Sequence, residues 1–399
     1  MSQWLQEITT LTCVHFIPRT TETDYINYQG KGGCWSYIGK VGGAQVVGVD
    51  RIYCMTQYVF QHEALHALGF IHEVQRKDRE EHVDILYDNI APEQQSQFDI
   101  INDNIPILSY DYNSVMHFDR FAYSKNRAPT ILPIPNPNVT VGQWIGISPM
   151  DITKLNTFYK CNLCRSLLTG NNGTINSTNY PSPYPSNSNC LYLIRIPADR
   201  ILVTFQAFDI ASSANCSSDY LRVYDGLTTS SPVILDRACG RSLPYPLMSS
   251  SNVMLFEFVS DRAVSGAGFQ ASYTNVTCGG IYSNSSGTVT SPRYPRNTPQ
   301  NMSCLYNIIA PPGYKIRVRF NNVFLGDVDN CDISGYSLSI SDGSSTDAPL
   351  LQKLCGYVYD PPVITSTGNN MALQFVRDDY VTTAIFSLSY TFVPVGAST

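Results

Sequence analysis

Residues 61–79, QHEALHALGFIHEVQRKDR, set His62, Glu63, His66, Gly69 and His72 in the pattern HExxHxxGxxH. Side chains four apart share one face of a helix, so His62 and His66 aim two imidazoles at one point. Gly69 can take the positive φ that ends a helix and turns the chain. The turn returns His72 as a third nitrogen ligand. Three histidines with a fourth position open are the donor set of catalytic rather than structural zinc. Glu63, beside His62, is placed to take a proton from a water that the metal activates. HExxH alone would carry little weight, because a core helix can hold two histidines. The longer pattern, with its glycine and third histidine, is far more specific.

The chain has 399 residues, too many for one ordinary core and enough for two or three domains. Hydrophobic residues make up 43% and charged residues 15%, a globular rather than disordered composition. A net charge of −6 without a basic patch argues against nucleic acid as a partner. No run of 18 apolar residues is present to span a membrane. Twelve cysteines point to an oxidising compartment. So do glycosylation sequons at Asn138, Asn172, Asn176, Asn215, Asn275, Asn284 and Asn301. The first residues, MSQWLQE, have neither the charged start nor the apolar core of a secretion signal, which leads us to expect an N-terminally incomplete chain.

Between Cys13 and Val49, short β-prone runs (14–17, 25–28, 35–38 and 45–49) alternate with Gly-rich or polar pieces. They predict a small twisted sheet beside a helix over Gln57–Leu68, with Thr56 as its N-cap. His15 falls in the first run and His82 outside the zinc spacing, and neither receives a role. The proline-rich stretch 131–142 predicts a loop, and 151–159 a closing helix. Beyond it the cysteines repeat: Cys164, Cys190, Cys216 and Cys239 recur as Cys278, Cys304, Cys331 and Cys355, at offsets of 114 to 116 residues. Tyr180-Pro and Tyr294-Pro recur with them. Many short alternating strands in each copy predict two antiparallel β-sandwiches.

The zinc pattern, together with IPRTTETDY (17–25), CWSYIG (34–39) and SVMHF (114–118), resembles the astacin metalloproteases of the metzincin clan. The two repeats resemble CUB domains, and the whole chain is similar to the hatching-enzyme subgroup that carries two of them. The resemblance implies an α+β metzincin catalytic domain over 1–161, a twisted sheet plus the active-site helix. All-β CUB sandwiches over 164–276 and 278–393 would follow. It implies one catalytic zinc held by His62, His66 and His72, with Glu63 as general base. Met116 becomes the Met-turn beneath the metal, and His117 a non-ligand. It also implies the disulfides Cys13–Cys161, Cys34–Cys54, Cys164–Cys190, Cys216–Cys239, Cys278–Cys304 and Cys331–Cys355. Trp4 to Ile8 would be the tail of a helix.

Glu73 matches the acid that in astacins receives the mature N-terminus, and would lack that partner here. Arg76, Asp78 and Arg79 match positions of structural ion pairs. Phe118 departs from the family, which usually has a tyrosine whose hydroxyl stabilises the oxyanion. Some CUB domains bind calcium through one Glu and two Asp. The first repeat has Asp219 and Asp261 but Ala211 at the Glu position, which leaves calcium there doubtful. The second has Gly335 in place of the first Asp, with Asp378 retained, and its site is read as lost.

Three functions remain to be separated. The leading one is a secreted zinc endopeptidase acting on extracellular proteins, egg-envelope glycoproteins among the candidates, with the CUB domains as exosites. Phe118 favours the alternative, a catalytically weakened protease-like binding protein that acts through its CUB domains. Intact Glu63 opposes it, because a chain drifting from catalysis has no chemical need of that residue. A scaffold with structural zinc is opposed by the open fourth position. With two residues between Cys161 and Cys164, the first CUB domain should dock on the catalytic unit rather than swing on a tether.

Overall fold

The computed structural model describes residues 2–30, 32–102, 108–197, 200–261, 266–276, 278–327, 330–331, 335–378 and 383–396. Helix α1 (Ser2–Leu11) turns Leu5, Ile8 and Leu11 inward, extending the expected helical tail to Leu11. A three-stranded sheet follows, from β1 (Tyr25–Gln29), β2 (Cys34–Trp35) and β3 (Ala44–Val49), in the order β1-β3-β2. The β1–β3 pair is parallel and the β2–β3 pair antiparallel. Helix α2 (Gln57–Ala67) packs Val59, Phe60, Ala64 and Leu65 on the same core. The Phe60 ring lies 4.6 Å from Trp4 of α1 and 5.4 Å from Tyr28 of β1, so the three elements meet at one side chain.

Several expectations need correction. Residues 14–17 form no strand. Val14 and Phe16 pack against the core while His15 and Ile17 are exposed, a strand-like alternation with no backbone partner beside it. Of the 35–38 run only Trp35 enters the sheet, joined there by Cys34. Thr56 occupies the N-cap position of α2 with extended backbone, but its side chain makes no capping bond. The first three residues of the expected proline loop form β5 (Ile131–Pro133), which pairs with β4 (Val83–Ile85). The closing helix α3 runs Pro149–Phe158, two residues earlier than expected, because Ser148 caps it: its Oγ accepts from Asp151 N–H at 2.9 Å.

Two β-sandwiches complete the chain. In the first, β6 (Cys164–Leu168) lies parallel to β8 (Asn189–Arg195), while β7 (Asn172–Asn176) edges the opposing four-stranded sheet. Cys164 pairs in register with Cys190, and Cys278 with Cys304 in the second sandwich, each across two parallel strands. Both Cα–Cα separations are 4.5 Å, within disulfide reach. All six pairs named above are bonded and no cysteine is free.

The two sheets of the first sandwich enclose a core of Ile194, Phe256, Phe258 and Phe269, while the outer face of its five-stranded sheet packs on α1. Leu167, Leu191, Leu193, Tyr224 and Leu255 belong to the same core cluster as Leu5, Ile8, Phe60 and Leu65. The second sandwich has a core of its own, built around Phe375, Phe386 and Leu373. We therefore expect Leu193→Ala, at a fully buried position, to cost about 2–5 kcal/mol. Calorimetry should show it lowering one transition that contains both the protease unit and the first sandwich. Phe375→Ala should lower only the second sandwich. Separate transitions for the protease unit and first sandwich would contradict the shared core.

Candidate metal centre

Helix α2 ends in a way that places the third histidine. Leu68 caps it, Gly69 takes φ +103°, and Phe70 N–H reaches back to Leu65 O at 3.0 Å. Gly69 N–H bonds to His66 O at 2.8 Å, completing the paired bonds of a Schellman turn, which a Cβ at Gly69 would strain. The chain then reverses so that His72 faces His62 and His66.

Each imidazole is oriented by its far nitrogen. His62 Nδ1 lies 2.8 Å from Val115 O, His66 Nδ1 2.8 Å from Phe70 O, and His72 Nδ1 3.0 Å from Gln75 Oε1. A carbonyl oxygen only accepts, so each Nδ1 carries the proton and each Nε2 presents a lone pair. His66 and His72 Nε2 stand 3.1 Å apart, and those of His72 and His62 3.3 Å. Two lone pairs cannot bond to each other. Ligands on a tetrahedral zinc at about 2.0–2.1 Å are separated by about 3.3–3.4 Å, so the three nitrogens fit that ion. Among the described residues, this is the one group of three or more His, Cys, Asp or Glu side chains arranged to hold a metal.

Electrostatics keeps the trio neutral. Burial pushes His62 below the usual imidazole range. Burial, then the neighbouring His62, takes His66 down to about 3. His72 is held well below the ordinary value by burial and then by the other two rings. Neutral imidazoles are the form that binds metal. Glu63 is 4% exposed, and burial pushes its carboxyl up to about 8. Its buried Oε2 has no hydrogen-bond partner.

Met116 is buried in the cluster that contains Phe60 and Leu65 of α2. Its carbonyl accepts from Glu73 N–H at 3.0 Å, tying this turn to the residue after His72. His117 stands apart from the trio, with Nε2 2.9 Å from Tyr110 Oη. The Phe118 ring centre is 4.4 Å from that of His72, and Phe98 and Tyr123 pack around it. Glu73 does not lack partners: Lys154 Nζ of α3 contacts Oε1, Arg76 Nη1 lies 3.2 Å from Oε2, and Asp111 N–H donates at 3.1 Å. Arg76 grips Asp78 with two bonds of 2.7 and 2.8 Å. Arg79 departs from the expected ion pairing, since its guanidinium binds the carbonyls of Val74 and Phe98 and the Tyr87 hydroxyl. In the first sandwich, Asp219 accepts from Tyr184 Oη at 2.6 Å and from Asp261 N–H at 2.8 Å.

Residues 1–160 match the family model for the astacin peptidases, and residues 164–273 and 278–390 match the CUB domain model. Embryonic protein UVS.2 of Xenopus laevis is 44% identical over 389 residues, covering 98% of this chain and 75% of that one. The chain belongs to the astacin family. It is a metalloendopeptidase with two CUB domains, in a family whose members depend on zinc. Astacin-like metalloendopeptidase of Gallus gallus is 41% identical over 273 residues, covering 68% of this chain and 67% of that one. Among solved structures, high choriolytic enzyme 1, a hatching enzyme zinc-protease from Oryzias latipes, is 42% identical, covering 40% of this chain and 80% of that one at a TM-score of 0.39.

Two site residues escaped sequence reasoning. Gln75 orients His72 through Oε1. Asp151 orients His62 at one remove: its carboxylate accepts from Ser114 Oγ at 2.6 Å, Val115 N–H at 2.9 Å and Ser148 N–H at 3.0 Å, and Val115 O holds His62. Burial pushes Asp151 up to about 6 against the pull of those bonds. Asp151→Asn turns a donor toward these donors. Chelator competition should show zinc affinity falling about 10–100-fold, and unchanged affinity would detach Asp151 from the metal site.

Proposed function

We propose that this enzyme is secreted and uses zinc to cleave extracellular proteins, egg-envelope glycoproteins being the first substrate class to test. The reading divides the chain into a protease unit at 1–161 and two CUB sandwiches at 164–276 and 278–393, which serve as exosites for substrate or matrix proteins. The observation that carries it is the convergence of three neutral Nε2 atoms beside a buried carboxyl with an unpartnered oxygen. Six disulfides and no free thiol favour an oxidising compartment. Among the described residues no helix is long and apolar enough to cross a membrane. Calcium plays no part in the reading.

His62, His66 and His72 would hold the ion, which when bound supplies Lewis-acid polarisation of the attacking water and the scissile carbonyl. Glu63 follows His62 and precedes His66 by three positions, so it flanks both ligands on one helix. It accepts the water's proton and returns it to the leaving amine. Burial favours the neutral form of this carboxyl, which helps it carry the proton between the two steps. Phe118 brings a ring to the site and no hydroxyl, so one donor to the developing oxyanion is missing. That favours the runner-up reading, a weakened protease acting mainly through its CUB domains.

Two substitutions test these roles. Glu63→Gln should retain one zinc per chain by metal analysis and lose cleavage of both a generic protein and isolated egg-envelope glycoprotein. Undiminished cleavage would remove Glu63 from the mechanism. Wild-type cleavage of the generic protein alone would remove the egg-envelope substrate and leave the enzyme. Phe118→Tyr should raise kcat at least about tenfold with little change in KM, since an oxyanion donor is typically worth about a hundredfold or more. A fall in kcat would mean the cleft is built around phenylalanine.

A further inference from the structure

Helix α1 buries a carboxylate for which the protease unit supplies no cation. Glu7 is fully buried, and its one ion-pair partner among the described residues is Arg195, the last residue of β8 in the first sandwich. Arg195 Nη1 stands 2.7 Å from both carboxylate oxygens. Glu7 Oε2 also accepts from two amides of α2, Gln57 Nε2 at 3.1 Å and Gln61 Nε2 at 2.9 Å.

Gln61 is fully buried and directly precedes His62. Its Oε1 accepts from Ile147 N–H at 2.7 Å, while Arg195 Nη2 donates to Ile147 O at 2.8 Å. One residue of backbone is thus held by the metal helix on one side and the sandwich on the other. The passage is tight: a Cβ on Gly146 would lie 2.6 Å from Gln61 Oε1 and 3.0 Å from Arg195 Nη1. Gln61 Nε2 is also 3.2 Å from Trp4 O. The side chain before the first metal ligand therefore has every bond directed away from the metal, into a layer that the sandwich completes.

A helix turns about 100° per residue, so bonds that pin residue 61 also set the rotation at which residues 62 and 63 emerge. We propose that the first CUB sandwich is a working part of the catalytic unit and that Arg195 is a positioning residue. Through Glu7 and Gln61 it sets the rotation of α2, and with it the aim of His62 and Glu63. The inference rests on the zinc-endopeptidase reading for what that aim is for. The rival account is that the ion pair only holds two domains together.

Three full-length variants separate the accounts. Arg195→Met should lower kcat about 10–100-fold, the range expected when a supporting contact of a metal site is lost, with KM within about twofold. Arg195→Lys should recover part of the loss, because an ammonium can reach Glu7 without also serving Ile147 O. Glu7→Leu with Arg195→Met removes both buried charges, a change that folded proteins usually tolerate. It carries the test if the single variant does not fold. The double variant should stay slow, and amide exchange over residues 57–67 of its metal-free form should quicken about tenfold or more. A folded double variant with wild-type kcat and wild-type exchange would overturn the positioning role and leave only cohesion. A wild-type chain that binds no zinc would instead overturn the endopeptidase reading, while the exchange comparison would still decide whether Arg195 orders α2.

Discussion

Three hydrogen bonds on the far side of three imidazoles hold this enzyme's centre in place. Val115 O, Phe70 O and Gln75 Oε1 each take an Nδ1 proton, and so each Nε2 turns its lone pair inward. Among the described residues the three Nε2 atoms meet only one another, and a divalent cation would satisfy their lone pairs directly. The acceptors come from different places: the turn after α2, the short helix after His72, and the segment before Met116. The rest of the protease unit can be read as what keeps those places in register. The Schellman turn at Gly69 sets Phe70 O, Asp151 of α3 sets Val115, and the Glu73–Lys154 pair joins the His72 loop to α3. Each such bond acts on the metal site at one remove.

The same reasoning reaches into the next domain. A protease unit that ended at its own surface would have to leave Glu7 in water or pair it internally. Instead the carboxylate is fully buried against Arg195, inside an apolar layer that α1 and the first sandwich build together. Breaking a buried pair by removing one partner strands the other charge, so such a contact is costly to lose once made. Both sandwiches have cores of their own, but the second shares no core with α2 among the described residues, so the two CUB domains stand in different relations to catalysis.

Local chemistry made the converging histidine trio readable from sequence. His62 and His66 are related by helical spacing, Gly69 by its positive φ, and His72 by the reversal that follows. The cysteine recurrence likewise marked two copies of one fold. Three supporting residues were not readable, because their partners are distant in the chain. Asp151 acts on Ser114 and Val115, Lys154 on Glu73, and Arg195 on Glu7, and no window of sequence contains both members of any of these pairs. Glu73 shows the effect most clearly, since the sequence reading left it without a partner while Lys154 of α3 contacts its carboxylate. Residues 14–17 erred the other way: the side-chain alternation was there, but a strand also needs a neighbour for its backbone.

The most direct test of the central claim is zinc K-edge absorption spectroscopy on the full chain loaded with one equivalent of zinc at neutral pH. Three converging Nε2 lone pairs predict three imidazole nitrogens at about 2.0–2.1 Å and one further light scatterer from solvent. Two imidazoles, a sulfur ligand, or a carboxylate of the protein in the first coordination sphere would contradict the account.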